Sequence, residues 1–302
     1  MKRKVIQLGG STYVVSLPTR WVTKHKIQKG HEVDVSSVGP ILQIASEQIA
    51  SEHCFSLDIR SLTDEMAIRL LLPVLHKNGY DKIEFICHSR QIPLIQSRIN
   101  NMLIGYEVIA VTNSSCTIKM ISQESNNDFD QLLRRVFLVT LQLAETMFLF
   151  LEQEKYEEVK ELLVLEKTNN KLTNYVERLI NKQVSYKEKH SYLYLITWIQ
   201  ESIADEYKEI CLIILQEKKF AKDLLSSLQS VNELLRKLYQ LFYSFSFERV
   251  EEILQKKKDT FLHMTTLLQS GRPPHELQIL FLLFAILQQI EDSIGSVIAY
   301  HH

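Results

Sequence analysis

From Asp128 to the C-terminus, apolar residues recur every three or four positions with few interruptions. A polypeptide with that period buries one stripe of each helix against its neighbours, and a strand cannot satisfy it. Turn signals are confined to Lys182–Lys189, Lys218-Lys219, Ser244–Phe247 and Ser270-Gly271-Arg272-Pro273-Pro274. They predict six long helices, near 128–154, 156–182, 190–217, 221–245, 248–269 and 275–300.

The helical stretch also repeats itself. Tyr156-Glu157-Glu158-Val159-Lys160-Glu161-Leu162-Leu163 parallels Phe247-Glu248-Arg249-Val250-Glu251-Glu252-Ile253-Leu254. Trp198-Ile199-Gln200-Glu201-Ser202-Ile203-Ala204-Asp205 parallels Ala285-Ile286-Leu287-Gln288-Gln289-Ile290-Glu291-Asp292, at a nearly equal offset. Duplication of a three-helix unit, over 127–218 and 220–300, accounts for both matches.

Ahead of the helices the period shortens twice. Residues 1–46 alternate in short runs: Val5–Leu8, then Gly9-Gly10-Ser11, then Tyr13–Leu17. The glycines fit a turn that needs positive φ. Pro18 starts a short helix carrying Trp21 and Val22, and turns at Lys29-Gly30 and Gly39-Pro40 frame two further strands, Glu32–Val35 and Ile41–Ile44. So small a module cannot cover its own sheet faces, and an intertwined homodimer is the simplest completion.

Residues 53–122 predict a small α/β domain. Strands are expected at Phe55–Ile59, Lys82–Ile86, Tyr106–Val111 and Thr117–Ile121, and helices at Asp64–Lys77 and Ile92–Met102, with Gly79 and Gly105 as stops. This order suggests one sheet with helices on one face. No glycine-rich phosphate loop follows any strand, so no nucleotide is assigned. The whole is a multi-domain α+β chain: a β-rich module, an α/β domain and a mostly α region.

The net charge of −1 argues against nucleic acid for the chain as a whole, but it conceals an asymmetry. No acid precedes Glu32, whereas Lys2, Arg3, Lys4, Arg20, Lys24, Lys26 and Lys29 are all positive. Such a segment attracts phosphate, and Arg3, Lys4, Arg20, Lys24 and Lys26 are the candidate DNA-binding residues. The four cysteines, Cys54, Cys87, Cys116 and Cys211, are far apart and read as buried thiols in a reducing compartment. The apolar run Ile279–Leu287 is about half of the ~20 residues needed to span a bilayer, which predicts a core helix. A soluble, cytoplasmic protein without a signal peptide is expected. No catalytic set with a recognisable local signature is present, and no enzyme is predicted.

The segment Arg3 to Val35, with Gly9-Gly10-Ser11, Val14-Val15-Ser16-Leu17-Pro18, Trp21-Val22 and Lys29-Gly30-x-Glu32-Val33, resembles the AbrB/SpoVT-type swapped-hairpin DNA-binding domain. That likeness implies an interlocked dimer presenting basic side chains to DNA. The helical half resembles the PhoU phosphate-uptake regulator family in its archaeal arrangement. The residues that carry it are Leu132-Leu133-Arg134-Arg135-Val136-Phe137, Glu166 with Asn170, and Ile199–Asp205. In the middle domain, Arg69-Leu70, Gly79-Tyr80-Asp81-Lys82-Ile83 and Gly105-Tyr106-Glu107-Val108 fit as well.

PhoU proteins carry E-x-x-x-D pairs that bind metal clusters, because residues i and i+4 share one helix face and offer oxygens to a hard cation. The resemblance implies Glu166, Glu201 and Asp205 as metal ligands, for a divalent or ferric ion, on the outside of the bundle. The pattern is depleted here. Asn170 stands where Glu166 needs an acidic partner, Gln288 replaces Glu201 in the second copy, and Lys257 stands near the place of Glu166. A solvated acidic face is the alternative.

The expected function is a dimeric DNA-binding transcriptional regulator linked to phosphate uptake or homeostasis, its helical bundle sensing a signal or docking a partner. The rival is an adaptor that binds no DNA and negatively regulates a phosphate ABC transporter, through its ATPase, or a sensor protein.

Overall fold

The computed structural model describes residues 2–38, 40–46, 52–122, 128–182 and 189–302. The predicted turn residues Gly39 and 183–188 lie outside them. The chain divides into two compact units, Met1–Cys54 and Phe55–His302. In order along the sequence come a small β region, a mixed α/β segment and a region of six long helices among the described residues.

In the first unit, β1 (Val5–Leu8) pairs antiparallel with β2 (Thr12–Val15), and Leu8 stands opposite Thr12. Three residues therefore close the hairpin, and Gly9 supplies the positive φ of 67° that the turn needs. Pro18 is the N-cap of α1 (Thr19–Lys24), where its carbonyl accepts from the Trp21 and Val22 N–H groups. A second antiparallel hairpin follows, β3 (Val33–Val38) with β4 (Ile41–Ser46). The two hairpins are separate two-stranded sheets. No residue of this unit whose side chain is described is buried, and Val5 and Tyr13 keep 67 % and 66 % of their surface exposed.

The second unit begins with β5 (Cys54–Asp58), α2 (Glu65–Lys77), β6 (Lys82–Ile86), α3 (Ile92–Met102), β7 (Tyr106–Val111) and β8 (Ser115–Met120). The strands form one sheet in the order β5-β6-β8-β7. Ile83 faces Ile118 and Phe85 faces Cys116 across the β6–β8 ladder, so the buried residues alternate as a half-covered sheet requires. Gly105, with φ of 84°, ends the loop after α3, where a Cβ would collide with Met120 and Ser122. Helix α2 has two apolar faces. Ile68, Leu72 and Leu75 enter the core, whereas Met66, Leu70 and Val74, one turn apart, are exposed.

The helices are α4 (Phe129–Glu152), α5 (Leu162–Lys182), α6 (His190–Glu217), α7 (Leu225–Tyr243), α8 (Phe247–Leu268) and α9 (Pro274–His301). Helices α4, α5 and α6 pack on one another, as do α7, α8 and α9, and the two triplets meet through α6 with α9 and α4 with α7. By length and composition α9 could cross a bilayer, yet its Ile279, Leu283, Ile286 and Ile290 lie in the core. One continuous apolar cluster runs from Ile59 to Val297, because α2 and α3 pack on α5. Three cysteines are buried as expected, but Cys54 is exposed, since it stands at the start of β5 outside that cluster.

Candidate functional site

Two places carry the residues that the sequence singles out, one in each unit. In the first, Arg3 and Lys4 lead into β1, Arg20 and Lys24 stand one turn apart on the same face of α1, and Lys26 follows that helix. All five are exposed, and none takes part in an ion pair among the described residues. Lys26 adopts φ of 50°, a left-handed conformation unusual for a side-chain-bearing residue. It closes α1 in a Schellman motif: Ile27 N–H donates to the Val22 carbonyl at 3.0 Å and Lys26 N–H to the Thr23 carbonyl at 3.2 Å. Glycine is the usual residue there. The lysine costs roughly 1 kcal/mol of backbone strain and in return adds an ammonium to the basic set.

The second place lies where α5 and α6 run beneath α2 and α3. The face carrying Glu166, Glu201 and Asp205 is not open solvent, as the sequence suggests, because α2 and α3 roof it and leave a cleft of about 530 Å³. Glu166 is buried, and Glu201 and Asp205 are half-buried. Each acid already has a cation. Lys208 Nζ lies 2.6 Å from Asp205 Oδ1 and 3.2 Å from Glu166 Oε1. Lys77 Nζ lies 3.4 Å from Glu201 Oε2 and 2.7 Å from the fully buried Glu177 Oε2. Asn170 Nδ2 donates to Glu166 at 2.7 Å, and Thr173 Oγ1 to Glu201 at 3.3 Å.

The electrostatics follow from burial and pairing. Burial pushes the Glu166 carboxyl up, Lys208 works against it, and Asp205 adds to it. Burial carries Glu177 up to about 7 despite the Lys77 ammonium. Burial also opposes the charge on Lys77, but Glu201 and Glu177 outweigh it and raise its pKa. Among the described residues no three His, Cys, Asp or Glu side chains come together as a set that could hold a metal ion. With ammonium groups already against the carboxylates, the residues present do not fit the metal that the PhoU resemblance implies. In the other triplet, Gln288 Nε2 donates to Asp292 at 2.8 Å and Lys257 pairs with Glu291 at 2.7 Å, so the acids of that face also have partners.

Comparison of the chain with family models, with curated proteins and with solved structures finds no match. Its own geometry must carry the assignment. Sequence reasoning passed over Lys77, Lys208, Arg69 and Arg98, which line the same cleft from α2, α6, α2 and α3. No local motif joins them; only the packing of α2 and α3 on α5 does. It also missed Arg178, a fully buried guanidinium that donates to the His76 and Tyr80 carbonyls at 3.0 and 2.7 Å.

Proposed function

We propose that this chain is a DNA-binding transcriptional regulator linked to phosphate uptake or homeostasis, working as a homodimer. Its first unit is taken as an AbrB/SpoVT-like swapped-hairpin module, and its helices as a duplicated three-helix, PhoU-like region that senses a signal or docks a partner. The observation that carries this reading is the state of the first unit. It exposes Arg3, Lys4, Arg20, Lys24 and Lys26 without ion-pair partners among the described residues, on a module that buries none of its described side chains.

Both halves of that observation have a physical consequence. Unpaired cations gain from a polyanion, because counterion release drives their association with a phosphate backbone. Apolar strand residues such as Val5, Ile6, Leu8, Val35, Ile41 and Leu42 are exposed. Burying them at about 25 cal/mol per Å² favours a second copy of the module. The two packed triplets, α4–α6 and α7–α9, agree in element order with the repeated sequence segments and support duplication. The link to phosphate supply rests on the PhoU resemblance alone.

The test is fluorescence anisotropy of the full chain with DNA from upstream of its own gene and with a scrambled duplex. Affinity should fall on the order of 10³-fold between about 50 and 200 mM salt. Arg3→Ala with Lys4→Ala, or Arg20→Ala with Lys24→Ala, should remove binding. Absence of binding, or binding blind to both salt and sequence, overturns the reading. The adaptor reading then gains, because Leu195 and Trp198 expose apolar surface on α6 to which a transporter or sensor protein could dock.

A further inference from the structure

We propose that the cleft between α2, α3, α5 and α6 binds a small phosphomonoester, with its phosphate dianion held by Arg69, Arg98 and Lys167. The site lies wholly within the second unit and does not depend on DNA binding by the first.

The charge balance of the cleft is the starting point. Five cationic side chains line it against three carboxylates. Lys77 and Lys208 are engaged by those acids and by Glu177. That leaves three cations. Lys167 and Arg98 have no ion-pair partner among the described residues, and Arg69 has only a 3.5 Å contact to the exposed Glu65. Arg98 is half-buried, and its Nε is shut off from solvent with no hydrogen-bond partner. A guanidinium with one N–H shut off from water and no acceptor for it carries an energetic cost, and an anion beside the group's remaining N–H donors would offset the cost of burying its charge. Burial and the neighbouring Arg69 charge lower its hold on a proton, while Glu166 acts the other way.

Two arginines and a lysine match a doubly charged tetrahedral anion better than a monoanion. The guanidinium forks can bind oxygens in pairs, and the total charge exceeds what one carboxylate neutralises. The cleft also has room beyond the phosphate. Its volume of about 530 Å³ falls in the range of small-molecule sites. Leu70, Pro73, Val74 and Met102 give it an apolar wall. Asn170, 7 % exposed, also lines the cleft, and its Oδ1 is buried without a donor. An ester with an organic group uses these features, and free phosphate does not.

The experiment is isothermal titration calorimetry on the full chain with adenosine 5′-monophosphate, inorganic phosphate and adenosine. The monophosphate should bind saturably and adenosine should not. Arg98→Met and Lys167→Ala should each weaken binding about 10–100-fold. Lys167 is exposed, so its variant tests the site even if the Arg98 variant folds poorly. Affinity should also fall as the ester loses its second charge below about pH 6. Inorganic phosphate binding as tightly as the ester would keep the dianion site and make free phosphate its ligand. Failure of both anions to bind, or equal affinity in wild type and Lys167→Ala, overturns the proposal. Neither outcome bears on DNA binding, which the anisotropy experiment reads separately.

Discussion

Arg178 Nη2 lies 2.6 Å from Asp81 Oδ1, joining the C-terminal end of α5 to the turn before β6. The guanidinium is fully buried, the carboxylate is partly open to solvent, and Lys182 Nζ reaches the same oxygen at 2.6 Å. The Arg178 guanidinium also lies over the Tyr106 ring, with Cζ 5.5 Å from its centroid. One side chain therefore satisfies acceptors in the α2–β6 turn while α5 carries it. This polar clamp joins the α/β segment to the helices beside the apolar core that they share.

Removing that clamp should be expensive. Arg178→Ala removes one of two donors from each of the His76 and Tyr80 carbonyls and leaves the Asp81 carboxylate without its buried partner, and Asp81→Ala leaves a buried cation short of its counter-charge. Each is expected to cost about 3–5 kcal/mol. Urea denaturation of the full chain followed by far-UV circular dichroism measures this, and a loss under ~1 kcal/mol in both variants would deny the clamp its role.

Glu177 gives stability an alkaline slope. Its carboxyl is raised from 4.5 to about 7 by burial, so between those values the folded protein holds a proton that the unfolded chain has released. Stability contributed by this group is full below pH 4.5 and is lost as pH rises through 7. The loss is on the order of 3 kcal/mol. Glu177→Gln should flatten the pH 5–8 part of the curve relative to wild type. Parallel slopes for the two proteins would refute this.

His76 acts in the opposite sense. Burial, then the Arg178 charge, carries its imidazole from 6.5 down to about 3. Below 6.5 the unfolded chain takes up a proton that the folded protein refuses, so stability falls as pH drops from 6.5 towards 3. His76→Gln should remove this acid limb, read as a smaller fall in Tm between pH 6.5 and 4 than wild type shows. A Tm that falls equally in both proteins would rule it out.

Lys26→Gly separates stability from binding. Glycine relieves the left-handed strain that closes α1 and should stabilise the first unit by roughly 1 kcal/mol. Under the DNA-binding proposal it should also weaken DNA affinity and reduce the salt slope by about one. Thermal melting and salt-dependent anisotropy check the two halves. A variant that is both less stable and unaltered in binding contradicts both.

Much of the architecture was legible because it is written in local periods. The six helical segments, the turn at Gly9 and the stop at Gly105 came from spacing and from glycine alone, since each depends on residues a few positions apart. The basic side chains from Arg3 to Lys26 were legible for the same reason, being a one-sided run with no acid in it. The acids Glu166, Glu201 and Asp205 were singled out through the PhoU resemblance but misplaced in environment. Periodicity puts them on an outer helix face, and it has no term for a neighbouring segment that covers that face.

What sequence determined by itself is therefore the period of each segment and the charge of its faces. Both are set by side chains within two turns of one another, and no distant contact is needed to specify them. Tertiary structure alone decided that Lys77 meets Glu177 and Glu201, that Lys208 reaches Glu166, that Arg98 and Arg69 open onto the same cleft as Lys167, and that Arg178 is wholly enclosed. Those side chains are tens of residues apart. Their juxtaposition follows from α2 and α3 settling on α5 to bury shared apolar surface, and the polar groups brought along have to find partners where that packing leaves them.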